Sequence, residues 1–110
     1  NIREGREERI VDIMNYLKNH YKDVTLDELA DNFNLSKPYL SNYIKENAGI
    51  TFQEAVKQAR MKKARAMLKE SNKTVESIAA SVGYENVEHF NRLSKKSYGM
   101  TPVQFRRESR

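Results

Sequence analysis

Apolar positions along this chain recur with helical spacing, and no stretch alternates as a strand requires. Ile10, Ile13, Met14 and Leu17 stand at i, i+3, i+4 and i+7, one face of a first helix. Helix starts are written in side chains that can accept from a free backbone N–H. Thr25-Leu-Asp-Glu28 is a capping-box sequence, with Val24 and Leu29 spaced as a hydrophobic staple. Thr51 through Glu54 and Thr101 through Gln104 repeat the box, and Pro102 takes the first helical position of the last one. Ser36, Thr74 and Asn86 are N-cap candidates for three further helices. Gly49 and Gly99 follow helical stretches, where a left-handed residue ends a helix cheaply. The pattern predicts an all-α chain of about seven helices.

The chain also repeats itself. Leu29-Ala30 returns as Ile78-Ala79, Phe33 as Val82 and Asn34 as Gly83. After that turn the offset grows by one residue. Leu40 then pairs with Phe90, Lys45 with Lys95, and Gly49-Ile50-Thr51 with Gly99-Met100-Thr101. Each copy has what two short, steeply crossed helices need. A small residue (Ala30, Ala79) lets the backbones approach, and a residue tolerant of positive φ (Asn34, Gly83) makes the turn. A large apolar residue (Leu40, Phe90) then anchors the second helix. This is the requirement of a helix-turn-helix, met twice in register.

A helix from about Thr51 to Glu70 lies between the copies, and at ~1.5 Å per residue it is roughly 30 Å long. Phe52, Val56 and Ala59 share one side of it, while Met61, Ala64 and Leu68 cluster nearly opposite. A helix docked on one core shows one stripe; this one changes partners midway. The expected organisation is a first helix-turn-helix subdomain over 1–50, a connecting helix over 51–70 and a second subdomain over 71–110. Gln58, Lys62, Arg65 and Lys69 fall on the connector's remaining face, which reads equally as a solvated basic surface or a phosphate-contacting one.

Composition narrows the chemistry. Charged residues make up 32% of the chain and apolar ones 38%, which suits thin cores with much exposed surface. Residues 1–50 carry 7 Lys/Arg against 9 Asp/Glu, whereas residues 51–110 carry 13 against 6, so the basic excess lies in the second half. That asymmetry points to a polyanionic partner. Cysteine is absent, excluding disulfides and thiolate metal sites, and fits a reducing cytoplasm. Neither a bilayer-spanning apolar run nor a signal-peptide pattern is present, so no membrane partner is expected. With two histidines, no phosphate-binding glycine loop and no nucleophile–base pair, no enzyme, metal or cofactor is expected. A module docking proteins through its helix-turn-helix units is the other alternative. The charge of the second half argues against it, because interface centres are depleted of charge. The chain begins at Asn1, which suggests a piece of a longer protein.

Several segments carry a family resemblance: Ala64-Arg65-Ala66-Met67-Leu68, then Val75 to Ala79 continuing through Val82-Gly83-Tyr84, then Phe90-Asn91-Arg92. To these belong Lys95-Lys96 with Tyr98-Gly99-Met100-Thr101-Pro102, and Phe105-Arg106. Together they resemble the DNA-binding domain of the AraC/XylS transcription regulators. The first copy, Leu35 to Ser41, fits the same pattern more loosely. The resemblance implies double-stranded DNA and RNA polymerase as partners, and a separate effector-binding, receiver or dimerisation domain. Two positions depart from the family: Ser94 and Ala55 stand where it usually has a phenylalanine and an aromatic residue. Ser94 is expected to weaken packing beneath the second reading helix.

In a helix-turn-helix the second helix presents the exposed side chains of its N-terminal part to base edges. In the first copy, over about Lys37 to Asn47, these are Pro38, Ser41, Asn42 and Lys45. In the second, over about Val87 to Lys96, they are Glu88, His89, Asn91 and Arg92. The resemblance places Asn42 and Arg92 at base-contacting positions, and their chemistry agrees: Asn pairs bidentately with adenine, Arg with guanine. Glu88 either accepts from a cytosine amine or answers the dipole of its own helix. His89 reads a base, meets a phosphate or lies on the helix surface. Pro38 starts its helix or touches a thymine methyl, and Ser41 faces DNA or bonds back to its helix. Lys95 and Lys96 are phosphate contacts or solvated charges. Tyr39, Tyr43, Tyr84 and Tyr98 are expected to pack within the protein.

Overall fold

The computed structural model describes residues 2–110, with side chains from Arg9 onward. Among the described residues there are seven helices and no strand: α1 (Ile2–His20), α2 (Leu26–Phe33), α3 (Lys37–Ala48), α4 (Phe52–Glu70), α5 (Val75–Ser81), α6 (Val87–Tyr98) and α7 (Pro102–Ser109). The all-α expectation and the helix count hold. Each of the six later helices begins where a side-chain oxygen takes up a free N–H. Thr25, Ser36, Thr51, Thr74, Asn86 and Thr101 accept from the amides of Glu28, Tyr39, Glu54, Ser77, His89 and Gln104. Each such cap is worth about 1 kcal/mol. At α7 the box closes both ways, because Gln104 Oε1 accepts from the Thr101 amide at 3.0 Å. At α2 the Glu28 carboxylate is drawn elsewhere, accepting from the Tyr16 hydroxyl at 2.7 Å.

The contacts gather into two units, residues 1–59 and 60–110, and the division falls inside α4. In the first unit Ile13 and Leu17 of α1, Leu29 and Ala30 of α2, and Leu40 and Ile44 of α3 form the core, closed by Phe52, Ala55 and Val56 of α4. Ala55, where the family usually has an aromatic residue, is buried within that core. Tyr16 pins α1 to α2: besides its bond to Glu28 it accepts from Asn32 Nδ2 at 3.0 Å and meets the Phe33 ring edge-on. The Glu28 bond, followed by burial, raises the Tyr16 phenol pKa.

In the second unit Met61, Ala64 and Leu68 of α4 are buried with Ile78, Ala79 and Val82, beneath Phe90 of α6. Residues of α4 are thus buried in both units, Phe52, Ala55 and Val56 in the first and Met61, Ala64 and Leu68 in the second. Ser94, the buried polar residue, is not left unsatisfied: its hydroxyl donates to the Met100 carbonyl at 2.8 Å. Arg106 of α7 holds the far end of α4, donating through Nε to the Leu68 carbonyl at 3.0 Å and through Nη2 to that of Lys73 at 2.6 Å. Those carbonyls include ones that a helix end leaves open.

Candidate nucleic-acid interface

The two copies close their turns with the same backbone hydrogen bonds. In the first, Asn34 takes φ 56°, the Leu35 amide donates to the Ala30 carbonyl at 2.9 Å and the Asn34 amide to that of Asp31 at 3.3 Å. In the second, Gly83 takes φ 102°, Tyr84 donates to Ala79 at 2.8 Å and Gly83 to Ala80 at 3.1 Å. Both are Schellman motifs, which need a left-handed residue at one position. Ala30 and Ala79 are buried at the crossings. Past the motif the first copy reaches its next cap, Ser36, directly after Leu35. The second interposes Glu85 before Asn86, the residue that changes the offset of the repeat. Lys37 Nζ lies 3.0 Å from Asp27 Oδ1 and links the starts of α2 and α3. Both side chains are exposed, so the pair contributes little.

With Leu40 and Phe90 wholly buried, the opposite faces of α3 and α6 are turned outward. On α3 that face carries Pro38, Ser41, Asn42 and Lys45, all exposed and spaced i, i+3, i+4, i+7. On α6 the positions fifty residues on carry Glu88, Asn91, Arg92 and Lys95, exposed except for half-buried Asn91. The candidate residues of each helix thus share one stripe, and the two stripes correspond residue for residue. Lys96 is exposed beside its stripe. His89 is also exposed but turns its ring edge toward Tyr84, with centroids 5.8 Å apart.

Several of the basic side chains of the second unit are engaged in contacts within the protein. Arg60 lies over the Tyr84 ring at 5.2 Å and Arg65 over Tyr98 at 4.0 Å. Arg110 donates through Nε to the Lys69 carbonyl at 3.3 Å, through Nη1 to Asn72 Oδ1 at 2.9 Å, and through Nη2 to the Ser71 carbonyl. With Arg106, four arginines of the second unit are engaged within the protein. Arg65 is therefore withdrawn from the basic face expected on the connector, which keeps Lys62 and Lys69 exposed. Burial pushes the Tyr84 phenol pKa up, opposed by the charge of Arg60.

A helix-turn-helix domain model matches residues 29–108, the greater part of the chain and both copies. The chain belongs to the AraC/XylS family of transcription regulators. Within that family it is the helix-turn-helix DNA-binding part. It is 31% identical over 104 residues to the transcriptional activator RhaS of Escherichia fergusonii, covering 94% of this chain but 37% of RhaS. Among solved structures, the C-terminal domain of AraT, a response regulator from Geobacillus stearothermophilus, is 34% identical with a TM-score of 0.83, covering 90% of this chain and 84% of that one. The C-terminal domain of the response regulator yesN from Fusobacterium nucleatum is 40% identical with a TM-score of 0.79, covering 86% and 93%.

On this AraC/XylS domain a large exposed ring on α3 lies outside the expected set. Tyr39, expected to pack, is 51% exposed in the first turn of α3, its ring stacked at 6.2 Å on that of buried Tyr43. The register of the repeat could have found it, because Tyr39 corresponds to His89, already a candidate. Tyr84 does pack as expected. Among the described residues there is no metal-binding cluster of acids and histidines, and no helix long and apolar enough to cross a membrane.

Proposed function

We propose that the domain binds double-stranded DNA sequence-specifically by laying α3 and α6 into successive major grooves. The correspondence of the two outward stripes after identical turns carries this reading. Outward-facing stripes at corresponding positions of two second helices are what two readers of one duplex would present. Asn42 pairs with adenine and Arg92 with guanine, while Glu88 accepts from a cytosine amine. Pro38 offers its ring to a thymine methyl. Ser41 and Asn91 bond at the edges of the stripes, His89 meets the backbone, and Lys45, Lys95 and Lys96 neutralise phosphates. The stripes differ in sequence, so one monomer prefers an asymmetric site.

The chain is a binding module rather than a catalyst. It serves as one part of a longer bacterial regulator that works in the cytoplasm, carries a separate regulatory domain and contacts RNA polymerase. Its span of only 37% of RhaS supports a larger whole. Footprinting of a single bound monomer tests the two-reader reading. Protection of two major-groove segments centred about 10 base pairs apart is expected. Protection of one segment only would leave one unit without a groove.

A further inference from the structure

We infer that Tyr39 is a positioning contact, its hydroxyl donating to a DNA backbone phosphate at the edge of the α3 half-site. The inference rests on α3 being a groove reader. Tyr39 follows Pro38 and lies about 60° around the helix from Asn42, to one side of the stripe rather than at its centre. A helix with side chains is roughly 10–12 Å across. The major groove is about 12 Å wide, so a helix reading its floor brings its flanks against the phosphate walls. A large side chain on that flank meets a phosphate before it meets a base.

The rest of the site agrees. The ring is held by stacking on Tyr43, so little rotamer freedom is left to lose on binding. Its hydroxyl has no hydrogen-bond partner among the described residues, leaving the donor available. The residue sits in the first turn of α3, where the helix dipole favours an anion. Glu46, the nearby acid on the same flank, is two turns away, ~10 Å along the axis, about a Debye length at physiological salt. A tyrosine donor to phosphate fixes register and carries no sequence information.

The test compares Y39F with the unaltered chain on cognate and random DNA at several salt concentrations. Loss of one hydrogen bond to a charged group predicts roughly tenfold weaker binding of Y39F on both DNAs. The specificity ratio and the salt slope should stay unchanged, because a phenol carries no charge to exchange for counterions. A second arm uses DNA with single methylphosphonates along the α3 half-site. One of them should weaken the unaltered chain about as much as the substitution does, and weaken Y39F no further. If Y39F binds as tightly as the unaltered chain, or if the two losses add at every methylphosphonate, the phosphate bond is refuted. A ring-only contact with sugar or thymine methyl would show as full retention in Y39F with loss in Y39A, and refutes it equally. If the unaltered chain shows no preference for cognate over random DNA, it is the groove-reading proposal that fails.

Discussion

The hydroxyl of Ser94, buried on the inner side of α6, donates to the Met100 carbonyl in the turn that leads to α7. The corresponding position of the first unit is Ile44, wholly buried and aliphatic. One repeat thus fills this place with methyl groups and the other with a hydrogen bond. The expected weakness at Ser94 is offset by a bond that ties the end of α6 to the cap of α7. S94A should cost about 1 kcal/mol, because it leaves the half-buried Met100 carbonyl without its partner. S94F should cost about 1–3 kcal/mol through overpacking. Urea unfolding measures both, and if S94F is stabilising, the site holds room for the family's usual aromatic.

Arg106 makes a second tie, between residues far apart in sequence. R106A should lose ~2 kcal/mol of stability, since charge-assisted bonds to the Leu68 and Lys73 carbonyls go together. R106K should recover only part of it, because an ammonium cannot reproduce the fork. R107A, at an exposed neighbour, is the control and should leave the melting temperature within a degree or two. Equal melting temperatures for R106A and R107A would show that the clamp contributes nothing.

Arg92 and Lys69 separate reading from anchoring. R92A should lose about 1–3 kcal/mol on the cognate site and relax preference at one base pair. K69A should weaken all sequences alike and lower the salt slope by about one. Both side chains are exposed, so circular dichroism should be unchanged. Parallel losses on cognate and random DNA for R92A would make Arg92 a phosphate contact.

Tyr84 predicts the alkaline behaviour of the second unit. Burial raises its phenol pKa in the folded state, so folding favours the neutral form. That contribution is complete below the ordinary tyrosine value of about 10 and is lost as pH rises through the raised one. Melting temperatures followed upward from pH 9 should therefore fall less steeply for Y84F than for the unaltered chain. Identical slopes would place the alkaline loss elsewhere.

Much of this was legible from residue order, for reasons that act over a few residues. A threonine, serine or asparagine three positions before an amide caps it wherever the helix lies. Asn34 and Gly83 take positive φ because their own backbones tolerate it, and the apolar period assigns Ile13, Leu40 and Phe90 to the interior. The internal repeat paired the stripes of α3 and α6 without any coordinates. What depends on through-space neighbours was not legible. Glu28 reads as half of a capping box, yet Tyr16, twelve residues earlier, takes its carboxylate. Arg106 reaches across 38 residues to Leu68, and Arg65 turns to Tyr98, so basic residues alike in sequence divide into structural and available ones. Tyr39 and Tyr43 are the same residue four apart, one exposed and one buried, because the packing of α3 on its core decides which side of the helix meets water. Local backbone energies made the helices and turns of this domain readable, whereas the partners of its long side chains were settled only when the chain closed on itself.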